Sequence, residues 1–219
     1  MAVPPLIGAA GPGLVTDPTV AQLPDGSPVM PGFGRHGQQF VGEFQGRYYP
    51  AAARGNVFVA STLIAGVTLP APATTLASKA GMRNPVGSGV NVELIAIGLT
   101  SVTVDVALKN FLMEFQVNAS STGGIPTSIT DLTSYSMPLS SAGRTSAAKA
   151  YSAATMTNAA ANPILIPFYQ KLETAVGGVP VYYRFDGEIV FGPDTVMAIT
   201  CTAALAAVNL TYVWAEWKI

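Results

Sequence analysis

The chain has 219 residues, of which 11% are charged and 49% are hydrophobic, and its net charge is −1. A typical globular domain carries about 25% charged residues, so this composition is typical of a protein whose surface is shared with neighbouring subunits. The eleven Lys and Arg residues are scattered singly, which excludes the basic stripe that direct nucleic-acid binding requires. No apolar run approaches the roughly 18 residues of a membrane span, and the first residues lack a secretory signal. We therefore expect no membrane partner and a soluble protein made in the cytoplasm.

Residues 1–55 are dense in proline and glycine and keep neither a helical nor an alternating period. Proline removes a backbone donor and glycine raises the entropic cost of order, so this segment is poorly suited to form a core of its own. We predict an extended N-terminal arm. Its apolar side chains, which include Phe33 and Phe40, need a surface to lie on, either the protein's own domain or a neighbouring subunit.

Within the arm, Gly32, Gly34 and Gly37 stand at the spacing of a dinucleotide-binding fingerprint, in PGFGRHGQQF (31–40). That fingerprint works where a strand ends and a helix begins, whereas prolines precede this stretch and a further glycine follows it. We predict no cofactor site. His36 is the single histidine of the chain and lacks the additional ligands that a metal site needs, so a loop histidine is favoured. The alternative is a three-fold axis that gathers three copies of His36 around a metal.

From Asn56 the sequence alternates with a period of two, and its segments end at clusters of turn residues. Residues 56–70 open the domain, and residues 90–108 form one or two strands. The cleanest alternation is in NFLMEFQV (110–117), whose aromatic and aliphatic side chains share one face. Residues 120–162 are rich in Ser, Thr and Ala, and they favour loops with weak strands over the alternative of a helix.

Strand composition returns after residue 162 and continues to the end of the sequence. Asp186 and Glu188 flank a glycine, which predicts a polar hairpin turn rather than the paired carboxylates of a glycosidase. In the last strand, Trp214 and Trp217 lie on opposite faces, and both faces are apolar. Such a strand is covered by its own core on one side and by a neighbouring subunit on the other, or it lies wholly inside one large core.

Strand-like segments number roughly eight between Asn56 and Ile219, with no rhythm of alternating strands and helices. The predicted fold class is all-β: an antiparallel, jelly-roll-like β-sandwich at residues 56–219, preceded by the extended arm at residues 1–55. Cys201 is the single cysteine, and its apolar setting predicts a buried small side chain in a strand.

Two stretches combine turn residues with strand alternation: NPVGSGVNVELIAI (84–97), and DGEIVFGPD (186–194), which leads into VMAITCTA and a last strand that closes on WAEW. Both stretches resemble patterns found in β-sandwich virion proteins of tailed bacteriophages. The resemblance implies a virion component similar to a head decoration or cement protein. Such a protein sits on the capsid surface as a homotrimer, binds the major capsid protein or other virion proteins, and clasps neighbours with its arm.

The sequence offers no catalytic constellation, since one histidine and no Gly-x-Ser-x-Gly elbow are present. We predict a non-enzymatic virion structural protein without cofactor or metal. The alternative is a receptor- or carbohydrate-binding sandwich of a phage fibre or tail, with aromatic pairs such as Tyr48–Tyr49 and Tyr182–Tyr183 lining a groove. An enzyme is the third hypothesis, and it requires polar side chains that converge in one pocket. The residues predicted to contact other subunits or the capsid are Phe33, Arg35, His36, Phe40, Tyr48, Tyr49, Trp214 and Trp217.

Overall fold

The chain divides between Arg54 and Gly55, and the unit Gly55–Ile219 contains the strands that the structure describes. Most of the predicted arm lies outside the described residues, including Phe33, Arg35, His36 and Phe40. The structure is a computed structural model that describes residues 48–63, 65–71, 75–76, 80–102, 109–122, 126–137, 144–157, 164–171, 180–202 and 205–219.

Strands dominate the described residues, as the period of two predicts, and the helices are short. The helices are α1 (Tyr49–Ala53) and α2 (Ala119–Thr122). The first seven strands are β1 (Val57–Ser61), β2 (Val67–Leu69), β3 (Thr75–Leu76), β4 (Ala80–Asn84), β5 (Val90–Ser101), β6 (Lys109–Val117) and β7 (Thr127–Asp131). The remaining strands are β8 (Tyr135–Ser136), β9 (Lys149–Thr157), β10 (Ile164–Lys171), β11 (Val181–Phe191), β12 (Thr195–Cys201) and β13 (Leu205–Lys218).

The strands form two antiparallel sheets that pack against each other. Sheet 1 has the order β11-β5-β13-β1-β8, with β2 also beside β13. Sheet 2 has the order β10-β6-β12-β4-β9-β3, with β7 also beside β9. Every strand pair is antiparallel, which confirms the predicted antiparallel sandwich.

Eight of these strands are paired in a nested order. β1 pairs with β13, β4 with β12, β5 with β11, and β6 with β10. Sheet 1 joins two of the nested pairs through β5 and β13, and sheet 2 joins the other two through β6 and β12. Two four-stranded sheets wound from eight strands in this way form a jelly roll, so the jelly-roll prediction is confirmed. The added strands β8 and β9 extend the sheets beyond β1 and β4.

The core lies between the inner faces of the two sheets. Phe111, Met113 and Phe115 of β6 are buried there, as the alternation in residues 110–117 predicts. Val117, at the end of β6, is instead half exposed, because the sandwich opens at this end of the strand. Aromatic rings fill much of the core, and the stacked pair Phe58 and Trp214 has ring centroids 5.8 Å apart. Cys201 is fully buried in β12, as predicted.

The Ser-, Thr- and Ala-rich region forms strands where it is described. β7, β8 and β9 lie in it, and α2 is a single turn, so loops with strands are confirmed over the helix alternative for these residues. Composition alone leaves the choice open, because alanine favours a helix while Ser and Thr do not. The pairing of β9 with β4 makes this segment a strand, since the first residues of β9 pair with Gly81, Met82 and Arg83 of β4.

Candidate interaction surface

The outer face of sheet 1 is nearly free of charge, and the strand register fixes which residues lie on it. Arg184, Ala96, Val213, Val59 and Tyr135 form one row across five strands. Small and uncharged side chains make the middle of this row, where Ala96 is fully buried and Val59 and Val213 are half-buried. The exposed side chains of the row, which a partner could cover, are Arg184 and Tyr135 at its ends.

The neighbouring rows of this face have the same character. On one side lie Tyr182, Gly98, Thr211 and Ser61, and the hydroxyls of Thr211 and Ser61 are 2.8 Å apart. The first row on the other side contains Val190, Glu93, Ala215 and Val57. The next row in the same direction contains Asn91 and Trp217.

The charged side chains in these rows are held by aromatic neighbours. Trp217 Nε1 donates a hydrogen bond of 2.8 Å to Oε2 of Glu93, and the Glu93 side chain is largely buried. The Arg184 guanidinium lies over the ring of Tyr182, 5.8 Å from its centroid. These two contacts shield both charges, which lowers the cost of covering the face with a partner.

Two strands, β10 and β11, end their sheets on the same side of the sandwich. Phe168 of β10 packs against Tyr183 and Phe185 of β11, with ring centroids 5.9 and 6.0 Å apart. Apolar side chains that are 43–56% exposed lie along this side, and we call them the apolar edge: Val117, Ile164, Leu165, Tyr182 and Val190. They do not form one contiguous face, because Leu165 shares its row with Glu114 on the outer side of sheet 2, whereas Tyr182 and Val190 lie on the outer face of sheet 1. Exposed apolar side chains on strands at the end of both sheets are candidates for contact with a partner.

Both strands of this side are interrupted, which obstructs the addition of a further strand. In β10, Pro167 lacks an N–H, and the register with β6 shifts between Pro167 and Tyr169. In β11, residues 185–188 bulge out opposite Ile95, and Gly187 has a φ of 89°. Proline and bulges protect sheet edges from pairing with other chains, so a partner here packs side chains rather than adding a strand.

A cavity of about 310 Å³ opens between the sheets at the apolar edge. Its apolar lining comes from both sheets and includes Phe115, Val117, Ile164, Ile166, Ile189 and Phe191. Glu188 is the charged residue of the lining, and its side chain is exposed. The predicted hairpin turn at Asp186 and Glu188 is wrong, because both residues lie within the bulge of β11.

Of the predicted contact residues in the described part of the chain, Trp214 is fully buried in the core. The prediction of a subunit contact is therefore wrong for Trp214, because β13 turns this side chain toward sheet 2. Trp217 lies on the opposite face and is 41% exposed, so its contact role stays a prediction. Tyr49 in α1 is exposed and Tyr48 is half-buried, and nothing in the structure tests their role.

Four members of the apolar edge were missed by the sequence analysis: Val117, Ile164, Leu165 and Val190. Alternation shows which residues share a face but cannot show which strand lies at the end of a sheet, because that depends on long-range pairing. The available indication is Pro167 inside PILIPFYQKL, since proline within a strand favours an edge position.

The described residues contain no group of three or more His, Cys, Asp or Glu side chains placed to hold a metal ion. Polar groups do converge at Glu216, which is buried and bonded to the Ser146 hydroxyl, to two backbone N–H groups and to the Trp214 indole. These bonds occupy the carboxylate in a structural role. Among the helices that the structure describes, none is long and apolar enough to cross a membrane.

Comparisons of this chain with protein-family models, with curated proteins and with solved structures find no match.

Proposed function

We propose that the protein is a virion structural protein of the capsid decoration type, which binds neighbouring subunits through the apolar edge and the outer face of sheet 1. Its topology is one used by viral capsid domains, although jelly rolls also serve lectins and cupins. Fold alone therefore does not carry the proposal. The virion location is proposed from the sequence patterns at residues 84–97 and 186–194 alone, and the mode of action is proposed from the surface.

The observation that carries the proposal is the apolar edge. Its side chains are about half exposed on strands that the core holds rigidly, and the neighbouring sheet face carries little charge. Complete burial of a large apolar side chain is worth about 1.5–3 kcal/mol, so each half-exposed member contributes about 1 kcal/mol when a partner covers it. Several such contributions offset the entropic cost of association when the partners are pre-organised.

The proposed assembly is a homotrimer on the capsid surface, with the major capsid protein or another virion protein beneath it. Closed symmetry lets every copy bury the same patch without leaving an unfilled surface at the end of a chain of copies. The low content of charged residues, 11%, favours such a shared surface over an isolated monomer.

The test uses the full-length protein and a variant that places charges on the apolar edge, Leu165→Lys/Val190→Lys. Both positions are exposed in the protomer, so the fold should tolerate lysine there. Light scattering is expected to give a trimer for the original protein and a monomer for the variant. Electron microscopy of particles is expected to show at least tenfold lower occupancy by the variant.

The matched control is Leu63→Lys, because Leu63 is an exposed apolar residue outside the apolar edge. This control should keep the trimer and the full occupancy. Equal assembly by the original protein, the control and the double variant would show that the apolar edge is not the binding surface.

Receptor or carbohydrate binding is the second candidate, and the exposed ring of Tyr182 on the outer face of sheet 1 favours it. The exposed Trp217 lies in the row of Asn91, whereas Tyr182 lies in the row of Gly98. At the rise of a strand these rows are about 20 Å apart, so the two rings cannot stack on one sugar. This candidate predicts glycan binding that Tyr182→Ala abolishes while the mass of the assembly stays unchanged.

A further inference from the structure

We propose that the cavity at the apolar edge receives residues 31–40, PGFGRHGQQF, of a neighbouring copy, with Phe33 inside the cavity and Arg35 paired with Glu188. The inference rests on the proposed function, because it requires copies of the chain to lie side by side. It names the partner of the apolar edge and the chemistry by which that partner is recognised.

The cavity is suited to one large apolar side chain. Its volume of about 310 Å³ lies at the lower end of the range of ligand pockets, about 300–1,000 Å³. Phe115, Ile166 and Phe191 offer no hydrogen-bond partners to water from their side chains, so water held there is poorly bonded. An aromatic ring that displaces this water is stabilised by dispersion contacts with both sheets and by the burial of its apolar surface.

Glu188 adds a requirement for charge. The bulge of β11 places its exposed carboxylate in the lining of the cavity, next to Gly187 with its positive φ. No described residue makes a hydrogen bond or an ion pair with this carboxylate. A segment that fills the cavity is therefore best matched when it also carries a cation close to its apolar anchor.

Extended segments place residues i and i+2 on the same side, about 7 Å apart. Within residues 1–47, an aromatic residue followed two positions later by a cation occurs at Phe33 and Arg35. The intervening Gly34 has no side chain to hold the backbone away from the surface. Pro31 lacks an N–H, so the segment suits an edge that favours side-chain packing over strand addition.

The length of the chain is sufficient for exchange between copies. Thirteen residues lead from Arg35 to Tyr48, where the described structure begins. Fully extended, they span at most about 45 Å. A small domain is about 30 Å across, so the segment is long enough to reach an adjacent copy.

The first test is a charge exchange in the full-length protein. Arg35→Glu and Glu188→Arg should each weaken association between copies by about tenfold, measured by light scattering over a dilution series. The combined variant Arg35→Glu/Glu188→Arg restores the pair with reversed signs and should associate within about threefold of the original protein. Arg47→Glu/Glu188→Arg is the matched control, in which a different cation is reversed, and it should stay weak.

The second test is a cross-link that identifies the donor copy. Phe33→Cys/Ile164→Cys should give covalent multimers on non-reducing gels, and the buried Cys201 does not compete for the bond. A link within one chain, or no link, would overturn the assignment to a neighbouring copy. Single charge variants that associate normally, or a combined variant that stays as weak as its control, would overturn the Arg35–Glu188 pair.

Failure of this inference can be told apart from failure of the proposed function. If the cross-link and the charge exchange both fail while Leu165→Lys/Val190→Lys still loses particle binding, the apolar edge binds a partner other than residues 31–40. If the apolar-edge variant also binds normally, the proposed function fails as well.

Discussion

Glu216 connects the end of β13 to the residues that lead into β9. Its largely buried carboxylate accepts hydrogen bonds from the N–H groups of Ala147 at 3.1 Å and Ala148 at 2.9 Å, and from the Trp214 indole at 3.3 Å. The Ser146 hydroxyl lies 2.5 Å from the same carboxylate. The substitution Glu216→Ala removes the acceptor and leaves these donors facing one another.

The expected cost follows from the donors that lose their partner. A buried donor left without an acceptor costs about 1–3 kcal/mol, and three N–H groups are affected. We expect Glu216→Ala to lower the free energy of unfolding by about 4 kcal/mol, allowing for water that enters the space. Glu216→Gln keeps one acceptor oxygen but turns an amide NH₂ toward a donor, so about half of that loss is expected.

Urea unfolding followed by tryptophan fluorescence measures this loss, with linear extrapolation to zero denaturant. The protein concentration is held fixed, because association with other copies stabilises the folded state. Val86→Ala is the control, since an exposed side chain outside the apolar edge should change stability by less than about 0.5 kcal/mol. A loss below about 1 kcal/mol for Glu216→Ala would refute the assignment of Glu216 as a structural anchor.

Two further predictions concern the outer side of sheet 2. Burial raises the pKa of Tyr151 far above its ordinary value of 10.0, so the folded protein keeps a proton that the unfolded chain releases above pH 10. The free energy of unfolding should therefore fall as the pH rises above about 10. In urea unfolding between pH 9 and 11, the free energy of unfolding of Tyr151→Phe should fall less steeply with pH than that of the original protein. Equal slopes for the two proteins would contradict this prediction. A Cβ at Gly81 would overlap the carbonyl oxygen of Met197, so Gly81→Ala should lower the free energy of unfolding by about 3 kcal/mol or more, measured by thermal unfolding. Gly192→Ala is the comparison, and it should lower the free energy of unfolding by less than about 0.5 kcal/mol. Equal melting temperatures for these two variants would show that β4 and β12 can move apart at little cost.

The fold class could be predicted because its determinants are local. A period of two and clusters of turn residues define the strands, and a scarcity of helical periods excludes the other classes. The sequence predicts a jelly-roll-like fold but not which strands pair with each other, since strand pairing and register are set by contacts between residues far apart in the sequence. For β9 even the type of element stayed open, because alanine-rich composition does not reveal the pairing with β4 that makes it a strand.

The last strand shows where the prediction of the site failed. Alternation places Trp214 and Trp217 on opposite faces, but it does not tell which face meets the second sheet. That choice depends on how sheet 1 packs on sheet 2, which contacts between residues far apart in the sequence determine. Exposure of Ile164 and Leu165 has the same origin, since the composition of β10 is that of a buried strand until its position at the end of sheet 2 is known.

The central position of β13 also affects how the protein folds during synthesis. β13 is translated after β1 and β5, yet it lies between these two strands and pairs with both. Until it emerges from the ribosome, those two strands have unpaired edges and their apolar faces stay uncovered, a state that is prone to aggregate. Pairing across such long sequence separations is also slow. Yield in a foreign host should therefore improve at low temperature or with added chaperones, and a chain that stops before β13 should accumulate as insoluble material.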